Sequence, residues 1–222
     1  MASERVGAKD RALAYVKEQV LSGGFPGGEL ISEGEVAEAL GMSRTPVREA
    51  FLRLEGEGLL RLYPQRGALV VPVSPDEVRA VLEARLVLEQ FAAGKVAAAG
   101  PEVREAVFAG MEEQRAKQQA AAGLGEFLEA DRAFHTVLVD AAANPILGSV
   151  YGSLRDRQMR MVGESTVNGR DGARDRLDVI LEEHREIAEA VHVGDGERAC
   201  EAVRVHLSST RRALGVTEDA GL

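Results

Sequence analysis

The chain has 222 residues, of which 45% are hydrophobic and 28% charged, and a formal net charge of −9. That length suits one long domain or two short ones, and the composition can bury a core, which excludes intrinsic disorder. The single cysteine, Cys200, excludes an internal disulfide and any Cys-based zinc finger.

No apolar run approaches the ~18–20 residues of a membrane span. The opening residues mix charge with apolar positions, unlike a signal peptide, so cytosol is the expected setting. Tryptophan is absent and aromatics make up 4%, which favours packed helices over a β-sandwich. The charge is uneven. Residues 1–72 hold 9 Lys+Arg against 10 Asp+Glu, and the remainder 18 against 26. Within 41–67 five arginines face three glutamates. The overall acidity argues against non-specific nucleic-acid binding, yet a small basic island stands in the N-terminal third.

The periodicity predicts a first helix over about Asp10–Leu21, with Leu13, Val16, Val20 and Leu21 on one face. GGFPGGEL ends it. Ser32-x-x-Glu35 is a capping box that opens a short helix, Glu33–Leu40. Gly41 ends that helix, Ser43 is the next N-cap candidate, and a third helix runs to about Glu57. LLRLY and ALVVPV, joined by PQRG, read as a hairpin. Pro72 and Pro75 mark a linker. Beyond it the pattern is helical throughout: about 75–99, 101–121, 126–142, 145–161, 173–193 and 197–214, with a Gly/Ser/Asn-rich loop at 163–172 and a frayed TEDAGL tail. The expected fold is therefore mainly α: a winged helix-turn-helix over 1–73, then an all-helical antiparallel bundle over 74–222.

Two short helices joined by Gly41-Met42-Ser43, followed by a hairpin, is the order of a winged helix-turn-helix, which lays its second helix in the DNA major groove. The first turn of that helix carries Arg44, Thr45 and Arg48. Arginine can bind a guanine edge or a phosphate bidentately, and the hydroxyl and free N–H groups at a helix start suit phosphate. At the hairpin tip, Gln65-Arg66-Gly67 offers an arginine to a narrow groove beside a glycine that permits close approach.

In the C-terminal part, Asp131 and His135 stand at i and i+4, so they share a helix face. His184 lies on the stripe Leu177, Leu181, Ala188, Val191, and His206 on the stripe Ala199, Val203, Thr210, Leu214. A single inward histidine is usually a hydrogen-bonded core residue. Three with an acid would cost several kcal/mol of desolvation without a common partner, and one divalent ion satisfies all four. An acid with three imidazoles suits zinc, nickel, manganese, iron or cobalt rather than calcium or magnesium, with zinc or nickel foremost. His192 sits about 80° around its helix from His184, where it reads as a C-terminal cation facing the dipole. Glu183, beside His184, points elsewhere on the helix. No HExxH or paired Glu-x-x-His pattern is present. A metalloenzyme and a purely structural metal staple stay open as alternatives.

The run GMSRTPVREAFLRLEGEGLLRLYPQRGALVVPV resembles the DNA-binding domain of the GntR family of bacterial transcription regulators. The resemblance covers about 10–72 and implies DNA contacts from Arg44, Thr45, Arg48, Gln65, Arg66 and Gly67. Many relatives carry an arginine where Gly34 stands, so one contact of the family pattern is missing here. EARLVLE (83–89), DRAFHTVL (131–138), NPIL (144–147), EEHREI (182–187) and His206-Leu207 resemble FCD, the all-helical effector domain of the FadR subfamily, over about 75–213. That resemblance implies a metal on Asp131, His135, His184 and His206 and a small organic acid as effector. Arg85 matches the arginine of the first effector helix and could clamp a carboxylate bidentately, or simply pair with Glu89 at i+4; Arg155 and Arg160 are weaker candidates for the same pocket. The implied protein is a ligand-responsive regulator, by default a repressor. It binds an inverted-repeat operator as a homodimer, because one winged helix reads too few bases.

Overall fold

The computed structural model describes residues 7–167 and 173–216. The chain divides into two compact units, Met1–Ser74 with Met159–Gly169, and Pro75–Gln158 with Arg170–Leu222.

The first unit contains α1 (Ala8–Ser22), β1 (Leu30–Ile31), α2 (Glu33–Leu40), α3 (Arg44–Gly56), β2 (Leu60–Tyr63) and β3 (Gly67–Val70). Its core gathers one face from every element: Ala12, Val16 and Val20 of α1, Val36 of α2, Val47, Ala50, Phe51 and Leu54 of α3, and Ile31, Leu60, Ala68 and Val70 of the strands. The capping box is formed, with Glu35 N–H donating to Ser32 Oγ and Ser32 N–H to Glu35 Oε2, both at 3.1 Å. Gly41 ends α2 in the left-handed region, φ 61°, where glycine carries no Cβ penalty. Ser43 occupies the N-cap position of α3 with extended backbone, but its side chain makes no capping bond.

The hairpin is present in the register Leu60↔Val70 to Tyr63↔Gly67. The sheet has a third strand that periodicity did not predict: β1 pairs with β3, Leu30↔Leu69 and Ile31↔Ala68, in the order β1-β3-β2. Two residues are too few to show an alternation, and the pairing exists only because β3 is there to receive it.

Beyond Ser74 the described chain is helical: α4 (Pro75–Ala97), α5 (Pro101–Ala120), α6 (Leu124–Ala141), α7 (Pro145–Val167), α8 (Ala173–Val193) and α9 (Gly196–Ala213), all in the second unit except the end of α7 from Met159, which groups with the first. α4 packs on α9, α6 and α8, and α5 on α6 and α8. Asn144 caps α7, its Oδ1 accepting from Ile146 N at 3.1 Å and Leu147 N at 3.3 Å. Asp195 caps α9 through Arg198 N at 3.0 Å. α7 continues to Val167, six residues past its expected end. One interior glycine costs a helix only about 1 kcal/mol, so Gly163 does not stop it. The rest of the expected 163–172 loop and the TEDAGL tail lie outside the described residues. No described helix is long and apolar enough to cross a membrane.

Candidate functional site

In the first unit, the faces of α3 divide cleanly. Val47, Ala50, Phe51 and Leu54 are fully buried, while Arg44, Thr45 and Arg48 are exposed on its opening turns. Arg48 Nε lies 4.0 Å from Glu33 Oε1 on α2, and its side chain is 73% exposed. Such an exposed pair contributes at most about 1 kcal/mol and yields readily to a phosphate or a base. A Cβ at Gly34 would lie 3.2 Å from Arg44 Nη2, so the missing side chain leaves room that the Arg44 guanidinium occupies. Gln65 and Arg66 are exposed at the hairpin tip, with Gln65 in the left-handed region at φ 61°. Gly67 answers a need inside the unit. Its φ is 104°, and a Cβ there would collide with the Ile31 carbonyl oxygen of β1.

In the second unit, α6, α8 and α9 bring His135, His184 and His206 together. All three are buried, and their ligand atoms lie within 4.8 Å of one another. The rings pack mutually at centroid separations of 4.7–5.0 Å, and Phe134 stacks on His184 at 4.1 Å. Asp131 Oδ1 sits 3.6 Å from His184 Nε2. His184 Nδ1 meets Gln118 Oε1 at 3.0 Å, and Gln118 Nε2 donates to Asp131 Oδ1 at 3.4 Å. An amide oxygen only accepts, so Nδ1 carries the proton and Nε2 presents a lone pair toward the cluster. His206 Nδ1 likewise meets Glu183 Oε2 at 2.9 Å. Partners of this kind fix the tautomer and orientation of an imidazole, as they do around metal sites in general. The second contact corrects the sequence expectation for Glu183, which reaches His206 on the neighbouring helix. Gln118 and Tyr151 had no sequence signal, because neither stands in a motif.

Arg85 and Glu89 of α4 are fully buried and paired, Arg85 Nε donating to Glu89 Oε1 at 2.6 Å, while Tyr151 OH donates to the same oxygen at 2.7 Å. Burial opposes both charges, but each partner holds the other ionised: Arg85 is raised further and Glu89 is held well below the usual carboxylate range by Arg85 and then His135. His135 Nδ1 is 3.0 Å from Glu89 Oε2, yet neither atom has a partner of hydrogen-bond geometry, so the contact is a close approach rather than a bond. Burial lowers the pKa of His135, and burial with His206 and His135 nearby holds His184 well below its ordinary value. Both imidazoles are thus kept neutral, the form that ligates metal. His192 stands apart from the cluster, stacked on Phe108 and 2.8 Å from Glu105 Oε2. The side chains of Arg155 and Arg160 lie outside the described residues.

Seven buried side-chain nitrogens and oxygens lack a hydrogen-bond partner among the described residues, and six belong to this cluster: Arg85 Nη1 and Nη2, Glu89 Oε2, His135 Nδ1 and Nε2, and His184 Nε2. Each such group costs about 1–3 kcal/mol. Imidazole lone pairs facing a carboxylate oxygen suit a cation, so the donor set fits a divalent transition metal.

A winged helix with an arginine-tipped second helix, joined to a helical bundle, is the build of a DNA-binding transcription regulator. Residues 8–70 match the bacterial regulatory proteins of the gntR family, and 80–209 match the FCD domain. The chain belongs to the GntR family and carries an FCD domain. It is 30% identical to an uncharacterized HTH-type transcriptional regulator in an unstable DNA locus of Streptomyces ambofaciens, over 90% of this chain and 83% of that one. It is 26% identical to the galactonate operon transcriptional repressor of Escherichia coli K12, over 94% and 97%. Among solved structures, E. coli McbR/YncC superposes with a TM-score of 0.74 at 21% identity, covering 95% of this chain and 98% of that one, which shows a shared fold.

Proposed function

We propose that this regulator, of the FadR subfamily, is a cytoplasmic homodimeric repressor. It reads an inverted-repeat operator with Arg44, Thr45 and Arg48 of α3 and with Gln65, Arg66 and Gly67 of the wing. It holds zinc or nickel on Asp131, His135, His184 and His206. A small organic acid bound there and by Arg85 sets its DNA affinity. Arg155 and Arg160 are secondary candidates for the same ligand.

The observation that carries the sensing half is the set of six unpartnered buried atoms. A metal ion would supply charge to the imidazoles and open coordination positions to a ligand oxygen. The two free guanidinium nitrogens of Arg85 can take a carboxylate in a fork. A ligand of this kind changes DNA affinity only by preferring one arrangement of the protein; a bias of about 1–3 kcal/mol gives a 5- to 150-fold change. The galactonate operon repressor of E. coli and the probable D-xylose utilization operon repressor of Paenarthrobacter nicotinovorans are named for sugar-acid and sugar operons, which supports a small polar effector and the repressor sign. A structural staple is the second reading, favoured by the Glu89 carboxylate that already neutralises Arg85.

Two measurements separate these readings. Small carboxylates screened against the zinc-loaded protein should raise its melting temperature by roughly 5–10 °C for a ligand at about 100 times its Kd. Arg85→Lys keeps a cation beside Glu89 but removes the fork, so it should retain zinc and lose that gain. No stabilising acid, or an unchanged gain in R85K, favours the staple. For the DNA half, Arg48→Ala should weaken operator binding 5- to 150-fold, the equivalent of about 1–3 kcal/mol, with an unchanged melting temperature because the side chain is exposed. Equal affinity in a gel-shift titration would remove Arg48 from the reading helix's contacts.

A further inference from the structure

We infer that Gly34 is the seat of the Arg44 guanidinium, and thereby a positioning residue for the reading of one G·C pair in each half-site. The inference rests on the reading of Arg44 as a DNA contact and adds what holds that side chain in place.

Gly34 stands in the first turn of α2, just after the Ser32 cap. Glycine is the poorest helix former after proline, so a glycine inside a helix needs a reason. The backbone supplies none. Gly34 is not among the glycines at positive φ, so alanine would fit its conformation. The reason lies outside the helix. The three heavy atoms nearest to a Cβ at Gly34 all belong to one side chain: Arg44 Nη2 at 3.2 Å, Cζ at 3.6 Å and Nε at 3.7 Å. Gly56, the glycine within α3, meets nothing within 4 Å. Arg44 is the first residue of α3, so its side chain spans the turn and lies over the start of α2. Three distances this alike mean that the guanidinium turns its flat face, not an edge, to the glycine.

The edges, which carry the N–H donors, stay free. The acids of that turn are engaged elsewhere. Glu35 closes the capping box with Ser32, and Glu33 faces Arg48 at 4.0 Å. Arg44 makes no hydrogen bond or ion pair among the described residues. A guanidinium with a fixed plane and unengaged donors suits a guanine edge, which it meets through two parallel hydrogen bonds in one plane. Ordering a long side chain before it binds lowers the entropy cost of the contact. A methyl group at position 34 would push the guanidinium off its seat, and Arg44 would have to be ordered anew on DNA. The atoms displaced are the far end of an exposed, flexible side chain, so the fold itself should not suffer.

The test uses the full chain and a duplex library with a randomised stretch of roughly 20 bp, enough for two half-sites. Sites selected by wild type are then varied one base pair at a time and titrated by fluorescence anisotropy. One symmetric G·C pair should be preferred about 5- to 150-fold over its alternatives, and Arg44→Ala should erase that preference, the scale of one bidentate contact. Gly34→Ala should lower the same preference roughly 2- to 10-fold and leave the other pairs as they were. In the Arg44→Ala background it should change affinity by less than about twofold at any pair, the mark of a residue that acts through another. Its melting temperature should not fall, because alanine is the better helix former. A Gly34→Ala protein with the wild-type preference at that pair, or one weakened evenly at all pairs, overturns the seat and leaves Arg44 as a reader. An Arg44→Ala protein weakened evenly across all sequences makes Arg44 a phosphate contact and overturns the guanine assignment. Unchanged binding by Arg44→Ala removes Arg44 from the DNA face and overturns both the seat and the reading it rests on.

Discussion

On the proposed metal site, His184→Ala should abolish stoichiometric metal binding and, with it, the thermal stabilisation expected of zinc in the second unit. Wild type loaded at about 1,000 times its Kd gains roughly 4 kcal/mol by mass action, a rise of roughly 8–16 °C for a unit of about 150 residues. The variant should show less than a quarter of that rise and well under one ion per chain by elemental analysis. The structure says why this one imidazole matters. His184 is fully buried, its Nδ1 is committed to Gln118, and its Nε2 faces Asp131 Oδ1 with no hydrogen-bond partner among the described residues. Alanine also removes the stack on Phe134 and leaves a cavity, so the metal-free variant should melt lower as well. The readout is therefore the zinc-induced shift rather than the melting temperature. Equal metal per chain in both proteins would strike His184 from the ligand set.

The clustering of the three imidazoles is legible in the sequence because helical spacing converts sequence into direction. Asp131 and His135 at i and i+4, and single histidines on the apolar stripes of α8 and α9, must point inward if those stripes do. The three imidazoles do meet. What spacing does not carry is partnership between helices. Gln118 bridges Asp131 and His184 from the end of α5, and Glu183 reaches across to His206; both depend on how helices pack, not on any period along one of them. Arg85 shows the same limit differently. The i+4 spacing allows either a pair with Glu89 or a carboxylate fork; the structure holds the pair while both Nη atoms have no hydrogen-bond partner among the described residues, so the one does not exclude the other. In the first unit the capping box, the turn and the hairpin follow from local chemistry and are found in place. β1 does not, because a two-residue strand is made by its neighbour.

That neighbour relation sets up the largest effect expected in the DNA-binding unit. Gly67→Ala adds a single methyl group, yet it should lower the melting temperature of this unit by roughly 15–30 °C. Gly67 sits at φ 104°, a backbone region in which an L side chain costs about 1–3 kcal/mol. Its Cβ would also run into the Ile31 carbonyl oxygen, with the carbonyl carbon at 3.1 Å and Ser32 Cα at 3.2 Å. All three are backbone atoms that cannot swing aside as a side chain would, and overpacking of this kind adds about 1–3 kcal/mol. The sum is about 2–6 kcal/mol, centred on ~4 kcal/mol, and each kcal/mol is worth about 4–8 °C in a domain this small. Relief by separating β1 from β3 would free the segment leading into Ser32 and the capping box of α2, so operator affinity should fall along with stability. Gln65→Gly, two residues away in the same hairpin and also at positive φ, provides the control. Nothing crowds it in this way, and glycine suits its backbone, so its melting temperature should stay within a few degrees of wild type. If G67A also melts within 3 °C of wild type, β1 is not held against β3 by the close approach that Gly67 permits, and the glycine's role passes to the wing's contact with DNA.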